Sequence, residues 1–381
     1  MADGESNSTP LKYHLKGQAQ DGSLPGAPKA KGSLGKSLFK KQPVSAKAAG
    51  KLNPLLKTVS RSFYLTLRVL PGEIRPQIGL AYLLARATDT IADTEIISWQ
   101  ERLITLRTLR DRILGTHGLP LEFEELASHQ ADPGEYQLLM RIEEAIEVLG
   151  SLSERDRERV REVIKTIVSG QEIDLERFGP ATSDKVIALH THSGLEDYTY
   201  RVAGCVGVFW TRMIQAHLFH LAPMYESLLL KNGVWFGQGL QLVNILRDLP
   251  RDLQNGRCYF PEDKLAEVGL RPQDLLDPAN EERFRPIFDA YLDFAEARLT
   301  AGWEYTNALP KKFKRLRLAC AWPILIGRKT LDLLRVNPIL DPAVRVKIPK
   351  SEVYNVILFS TLSHSIPAAW NRLYKPSAPS E

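Results

Sequence analysis

The strongest constraint on this chain is the period of its apolar residues. From about residue 52 onward they recur at three- and four-residue spacing through long stretches: Glu73–Thr94, Trp99–Leu114, Gly134–Leu149, Ser153–Phe178, Ser183–Leu221, Leu228–Asp248, Arg283–Thr306, Leu316–Leu334 and a last one near Ser351–Leu373. Almost nothing alternates with period two. The breaks coincide with Pro71-Gly72, the Gly115 to Pro120 region, Asp132-Pro133-Gly134, Gly179-Pro180, Gly256 to Pro261 and Asn337-Pro338, where the backbone cannot continue a helix comfortably. There is no internal repeat and no second compositional block. The pattern predicts an all-α fold: one bundle of stacked helices over residues 53–375, followed by a short tail, 376–381.

Charge enters because the chain carries a formal +5, which invites a nucleic-acid reading. Residues 1–50 hold eight Lys against three acids (Asp3, Glu5, Asp21), the whole excess, and the rest is balanced at 42 basic and 42 acidic side chains. A neutral body with a basic leader is not a nucleic-acid-binding domain, so no nucleic-acid partner is expected. Residues 1–52 are dominated by Gly, Ser, Pro, Ala and Lys, with no Trp or Arg, and read as a disordered tail that cannot bury enough apolar surface to order itself. It has neither the apolar core of a secretory signal nor the Arg-rich character of a transit peptide. The first reading is a flexible tail without catalytic consequence; the alternative is a loose hold on anionic lipid through Lys40 and Lys41. Val353 to Asn371 is uncharged, but Asn355, Ser360, Thr361, Ser363, His364 and Pro367 make it a core helix rather than a membrane span. The expectation is a monomeric cytoplasmic protein, at most peripheral at a membrane surface, with no transmembrane anchor. Cys205, Cys258 and Cys320 suit a reducing compartment without pairing.

The candidate chemistry lies in acidic spacing. Asp-x-x-x-Asp occurs three times: Asp89/Asp93, Asp248/Asp252 and Asp289/Asp293. On a helix, i and i+4 share a face, where like charges repel. The first pair has Arg86 one turn upstream and sits in an otherwise apolar run. The second follows Gln241 and Asn244 on one face, with Arg247, Arg251 and Arg257 close in sequence. Carboxylates beside arginines and amides at a helix end suit a polyanion held through divalent metal. Mg²⁺ prefers hard oxygen ligands and bridges carboxylate to phosphate, while Arg forks take the remaining oxygens. The third pair has no such company and reads as a solvated face.

Four segments in order, Ser60-Arg-Ser-Phe63, Tyr82-Leu-Leu-Ala-Arg-Ala-Thr-Asp-Thr-Ile-Ala-Asp93, Tyr198-Thr-Tyr-Arg-Val-Ala-Gly-Cys-Val-Gly207 and Asn244-Ile-Leu-Arg-Asp-Leu-Pro-Arg-Asp-Leu-Gln-Asn-Gly-Arg-Cys-Tyr-Phe-Pro261, resemble the motif series of the squalene and phytoene synthases. The resemblance runs over about residues 53–373. It implies an isoprenoid-synthase bundle with two Asp-rich motifs on facing helices around a central apolar cavity, and head-to-head joining of two prenyl diphosphates. On that basis Asp89, Asp93, Asp248 and Asp252 hold Mg²⁺. Arg61, Ser62, Tyr82, Arg86, Gln241, Asn244, Arg247 and Arg257 surround the diphosphate, with Arg86 also acting on its departure. A tyrosine near Val202-Ala203-Gly204 is the family's candidate base; Arg201 stands just before Val202 here, and Tyr200 is favoured over Tyr198. Ala319-Cys-Ala-Trp-Pro-Ile-Leu and Ala343-Val-Arg-Val-Lys-Ile-Pro-Lys350 resemble the C-terminal half of squalene synthases, although Pro349 stands where a basic residue is expected. This favours farnesyl diphosphate as substrate and reduction by NADPH. Gly237-Gln-Gly239 is no dinucleotide fingerprint, so the cofactor falls to Arg61, Lys347 and Lys350. The alternatives are a phytoene synthase and a non-reducing presqualene or hydroxysqualene enzyme. A non-catalytic assembly-factor homologue is disfavoured by the retained acidic quartet.

Outside these motifs, Gln171 and Asp174 in Gly170-Gln-Glu-Ile-Asp174 are open between a cavity role and a structural salt bridge. His217 and His220 read as core or interface residues rather than metal ligands. His190 and His192 mark a helix start.

Overall fold

The computed structural model describes residues 46–60, 63–220 and 222–374. The chain enters through α1 (Ala46–Val59), α2 (Phe63–Val69), α3 (Arg75–Asp93) and α4 (Trp99–Leu114). Short α5 (Glu124–Ser128), α6 (Pro133–Met140) and α7 (Ile142–Gly150) lead to the long α8 (Glu154–Phe178). Then come β1 (Ile187–Leu189), α9 (His192–Thr199), a π-helical turn over Tyr200–Gly204, α10 (Cys205–His217) and the longest helix, α11 (Pro223–Gln254). After β2 (Arg257–Pro261) and α12 (Glu262–Glu267), two 3₁₀ turns precede α13 (Glu281–Ala308), α14 (Lys314–Val336), α15 (Lys350–Ser363) and α16 (Pro367–Asn371).

Local chemistry sets many of these ends. Ser98 caps α4 in a reciprocal box, accepting from the Glu101 N–H at 3.2 Å while its own N–H donates to Glu101 Oε2 at 2.9 Å; Gly115 then closes the helix at φ 83°. Ser153 and Thr191 cap α8 and α9. One apolar core gathers α1, α3, α4, α7 and α8, and a second lies between α11, α13 and α14. Where α10 and its π-helical entry cross α11, glycines let the backbones touch. A Cβ at Gly207 would sit 1.9 Å from the Gly233 carbonyl oxygen, and one at Gly237 2.2 Å from that of Ala203.

The all-α expectation is met, and the structure redraws several limits. Helix α1 starts at Ala46, so the expected boundary at 52/53 falls inside it; Leu52, Leu55 and Leu56 are buried and tie it to the core. The rest of the expected N-terminal tail, with Lys40 and Lys41, and the C-terminal tail lie outside the described residues. Gly134–Leu149 is divided at Arg141, which leaves helical geometry at φ −114°, ψ 18°. The opening of Ser183–Leu221 is not helical: β1 pairs in parallel with β2, Ile187 opposite Arg257 and Ala188 opposite Cys258, a partner that only the tertiary fold supplies. Helix α11 runs past Asp248 and through Pro250 to Gln254, because the neighbouring core contacts of Leu249 and Leu253 outweigh one missing N–H. The last stretch breaks between α15 and α16 ahead of Pro367. No described helix is long and apolar enough to cross a membrane.

Candidate active site

The last turns of α3 carry Asp89 and Asp93 against α8. Gln171 Nε2 donates to Asp89 Oδ1, and Arg86 pairs with Glu135 of α6. Burial, then the charge of Asp93, pushes the Asp89 carboxyl up to about 7, against the pull of Arg86 and Gln171. Asp93 is raised as well, again by burial first. Its tip is open to solvent, which limits how far the crowding around it can hold it neutral.

At the far end of α11, Gln241, Asn244, Asp248 and Asp252 descend one face at helical spacing. Arg247 forks onto its neighbour Asp248 at 2.8 and 2.6 Å. Burial and then Asp248 push Asp252 up to about 7. The chain then turns at Gly256, φ 73°, where a side chain would strike the Thr182 carbonyl oxygen at 2.4 Å, and β2 begins with Arg257. This guanidinium joins the halves of the site. Burial works against its charge, but Tyr259, Asp174, Asp93 and Asp252 outweigh that and raise its pKa. Its charge in turn bears on Asp93 from α3, Asp174 from α8 and Asp252 from α11.

Behind it runs a hydrogen-bonded line. Tyr198 Oη donates to Tyr259 Oη at 3.4 Å, and Tyr259 donates to Asp174 at 3.0 and 3.1 Å, the two rings stacked 5.0 Å apart. Burial pushes Asp174 up to about 6, and burial followed by the Asp174 charge holds both phenols well above their ordinary values. Gln171 Oε1, Arg86 Nε and Arg177 Nη1 are buried in this region with no hydrogen-bond partner. Free donors and an acceptor beside carboxylates form a set able to take a hydrated cation and the oxygens of a polyanion.

Gln241 and Asn244 also line an apolar cavity of about 190 Å³, whose walls include Phe63, Trp210, Phe236 and Tyr305. Pro323 of α14 and Ala319 one turn before it line it too. The acidic cluster and the cavity therefore share one helix face of α11.

Arg61 and Ser62 lie outside the described residues. The remaining expected site residues divide. Asp89, Asp93, Asp252 and Arg257 come together, Asp248 sits one turn from Asp252, and Gln241 and Asn244 reach the cavity. Arg86 and Arg247 stand beside the first and second acidic pairs, each bound to a carboxylate. Tyr82 is half buried, its ring stacked 5.2 Å from Phe63 and its hydroxyl 3.4 Å from the Val59 carbonyl. Tyr198 belongs to the line ending on Asp174. Tyr200 does not reach the site: it lies in a shallow groove on the outer side with Arg159, Glu162 and Arg212, at the start of the π-helical turn and two positions after Tyr198 of α9. Lys347 and Lys350 are exposed and neither lines the cavity.

Gln171 and Asp174, left open by sequence, both belong to the site. Tyr259, Arg177 and Glu135 were missed. Arg177 is signalled only by its i+3 spacing from Asp174, Tyr259 sits unassigned inside a recognised motif, and nothing near Glu135 marks it. Asp289 and Asp293 pair with Arg285 and Arg335, a structural role in place of the solvated face expected. His217 Nε2 lies 2.9 Å from buried Asp156, consistent with a core histidine. Among the described residues, no three His, Cys, Asp or Glu side chains stand close enough to hold a metal by themselves.

An α-helical bundle with facing acidic motifs at the mouth of an apolar cavity has the architecture of the isoprenoid synthases. A family profile described as squalene/phytoene synthase matches residues 56–352, and the chain belongs to that family. It is 29% identical over 255 residues to a bifunctional lycopene cyclase/phytoene synthase of Colletotrichum graminicola, covering 64% of this chain and 40% of that one. It is 26% identical to the squalene synthase of Schizosaccharomyces pombe, covering 80% and 64%, and 26% identical to the presqualene diphosphate synthase of Rhodopseudomonas palustris, covering 78% and 91%. The chain thus spans less than two thirds of the length of the first two relatives. The fold superposes on a squalene synthase solved with the ligand E5700 at a TM-score of 0.68 and 21% identity, covering 86% of this chain and 91% of that one. A dehydrosqualene synthase gives 0.60 and 20%, covering 84% and 96%.

Proposed function

We propose that this protein joins two molecules of farnesyl diphosphate head to head, in the presence of Mg²⁺, through a cyclopropylcarbinyl (presqualene) diphosphate. The observation that carries the reading is the charge of Arg257 bearing on Asp93, Asp174 and Asp252 of three helices, with Asp252 on the face of α11 whose Gln241 and Asn244 line the apolar cavity. Relatives named as squalene and presqualene diphosphate synthases lend the reading its substrate class.

The donor set fits Mg²⁺. Its oxygens are hard, and this ion is ordinarily held by one or two carboxylates while waters and substrate phosphates complete its shell. The Asp89/Asp93 pair and the Asp248/Asp252 pair would each hold such an ion from one side, with waters and phosphate oxygens completing its shell, and it would neutralise the departing diphosphate oxygens. The chain's own part is to present Arg257, Arg86 and Arg177 to the anion and relieve the mutual repulsion of its aspartates. The apolar walls of the cavity keep water from the allylic cation left behind. Closure of the cyclopropane requires a proton to leave. Tyr198 and Tyr259 remain protonated at neutral pH, so they act as a relay rather than as bases, and the proton's terminus is Asp174, with a pKa near the working pH. The described residues offer no comparable fit for NADPH: Lys347 and Lys350 stand exposed and away from the cavity walls.

The test is incubation of the purified protein with farnesyl diphosphate and Mg²⁺, with and without NADPH, and mass analysis of the products. Presqualene diphosphate without NADPH is expected. Conversion to squalene when NADPH is added assigns the reductive step as well, and product from geranylgeranyl diphosphate alone moves the protein to the phytoene class. Absence of condensation with either substrate overturns the proposal.

A further inference from the structure

Helix α15 is built inside out. Its buried residues are Val356 and Ser360, and Ser360 Oγ accepts a hydrogen bond from Trp322 Nε1 of α14 at 3.0 Å. Its large apolar residues face water instead: Tyr354, Leu358, Phe359 and Leu362 are 65%, 54%, 56% and 65% exposed, and Ile366 beyond the helix end is exposed too. Positions 354, 358 and 362 recur every fourth residue and form one stripe, with Phe359 beside it. Side chains of this size, left in contiguous contact with water, mark a surface that something apolar covers.

The charge around the stripe says what. Although the body of the chain is neutral, residues 309–374 carry 12 Lys and Arg against three acids, Asp332, Asp341 and Glu352. Some of these cations are committed internally: Arg328 and Arg335 to Glu296, and Lys329 to Glu352. Others bracket α15. Arg345, Lys347 and Lys350 are exposed at its start, and Arg372 is exposed beyond its end. Lys314 is close enough to the far end that, after burial and Arg317, it helps hold the His364 imidazole below its ordinary pKa. Lys350 opens the helix, the end at which the helix dipole disfavours a cation; an anionic surface reverses that penalty.

We propose that α15 lies in the surface of an anionic lipid bilayer, its Tyr354, Leu358, Phe359 and Leu362 stripe among the acyl chains and Arg345, Lys350 and Arg372 at the headgroup phosphates. With 14 residues it is too short to span, and an apolar stripe rimmed by cations is the arrangement of an interfacial helix. A second copy of the chain is the poorer occupant, since a two-fold interface sets the same basic rim against itself. The acidic site and its cavity lie on other helices.

The test is flotation of the full chain with vesicles of phosphatidylcholine alone and of phosphatidylcholine mixed with phosphatidylserine, for the wild type and for Leu358→Asp/Leu362→Asp. The wild type is expected to float with the anionic vesicles and to be released by salt. The double variant should bind at least about tenfold more weakly, with an unchanged melting temperature and unchanged turnover of farnesyl diphosphate in solution. In a second measurement, Tyr354→Trp fluorescence is quenched by brominated acyl chains. Three results overturn the proposal. One is undiminished flotation of the double variant, which assigns binding to another segment such as the Lys-rich first fifty residues. The others are no flotation of the wild type at low salt, and a dimer that the double variant converts to monomer in sedimentation.

Discussion

Asp89→Asn separates what the acidic site costs from what it does. In the unfolded chain an aspartate titrates near 3.9, whereas in the folded protein burial and Asp93 push Asp89 up to about 7. Between those values the native state holds a proton that the unfolded chain has released, so stability falls as pH rises from about 4 to about 7 and then levels off. Three pKa steps at about 1.4 kcal/mol each set a ceiling of about 4 kcal/mol. Water can reach the half-buried carboxylate, so about 2 kcal/mol is the figure to expect. Asparagine keeps the oxygen that accepts from Gln171 and cannot ionise. The variant should therefore melt a few degrees above the wild type at pH 8 and close to it at pH 4, while condensing prenyl diphosphate far more slowly. Added Mg²⁺ should narrow the gap at pH 8 by stabilising the wild type. Calorimetry across the pH range provides the check. Equal melting at pH 8, or an advantage that does not change with pH, would refute the assignment of Asp89 as a strained, charge-bearing site residue.

Tyr259→Phe removes the hydroxyl that donates to Asp174 and accepts from Tyr198. Because that bond favours the charged carboxylate, it should cost about 1–2 kcal/mol above pH 6 and less at pH 5, measurable by denaturant melts at both pH values. Gly207→Ala puts a Cβ 1.9 Å from the Gly233 carbonyl oxygen, where only backbone could yield; a loss of at least about 3 kcal/mol is expected, read from the urea midpoint. Tyr200→Phe should leave condensation rates within about twofold of wild type, since the ring lies in the outer groove; a large fall in kcat would return Tyr200 to the mechanism.

The sequence carried much of the site in local spacing. Asp89/Asp93 and Asp248/Asp252 share helix faces by arithmetic, and Gln241 and Asn244 fall on the second face by the same arithmetic, although only the structure shows that face opening on the cavity. Glu135, Arg177 and the partnership of Tyr259 with Tyr198 were not legible, because each depends on which helices meet. Tyr198 and Tyr200 differ by two positions and so point to opposite sides of the helix, and only the packing of Tyr259 shows which of them leads to Asp174. The same limit hid α15. Val353 to Asn371 reads as a core helix from composition, yet Ser360 faces inward and Leu358 and Leu362 face water, a choice made by Trp322 and the packing of α14.

Sequence alone determined the helical class, since a 3.6-residue period and its Pro and Gly breaks are properties of the backbone and its neighbours. It also determined the residue types of the site, because paired aspartates with nearby arginines can be counted along one strand of chain. Only the tertiary structure decided that the charge of Arg257 bears on aspartates from three helices, that Gln171 and Asp174 join them, and that the apolar stripe of α15 is left outside. Those outcomes rest on distances between segments far apart in the chain, and packing sets such distances where periodicity cannot.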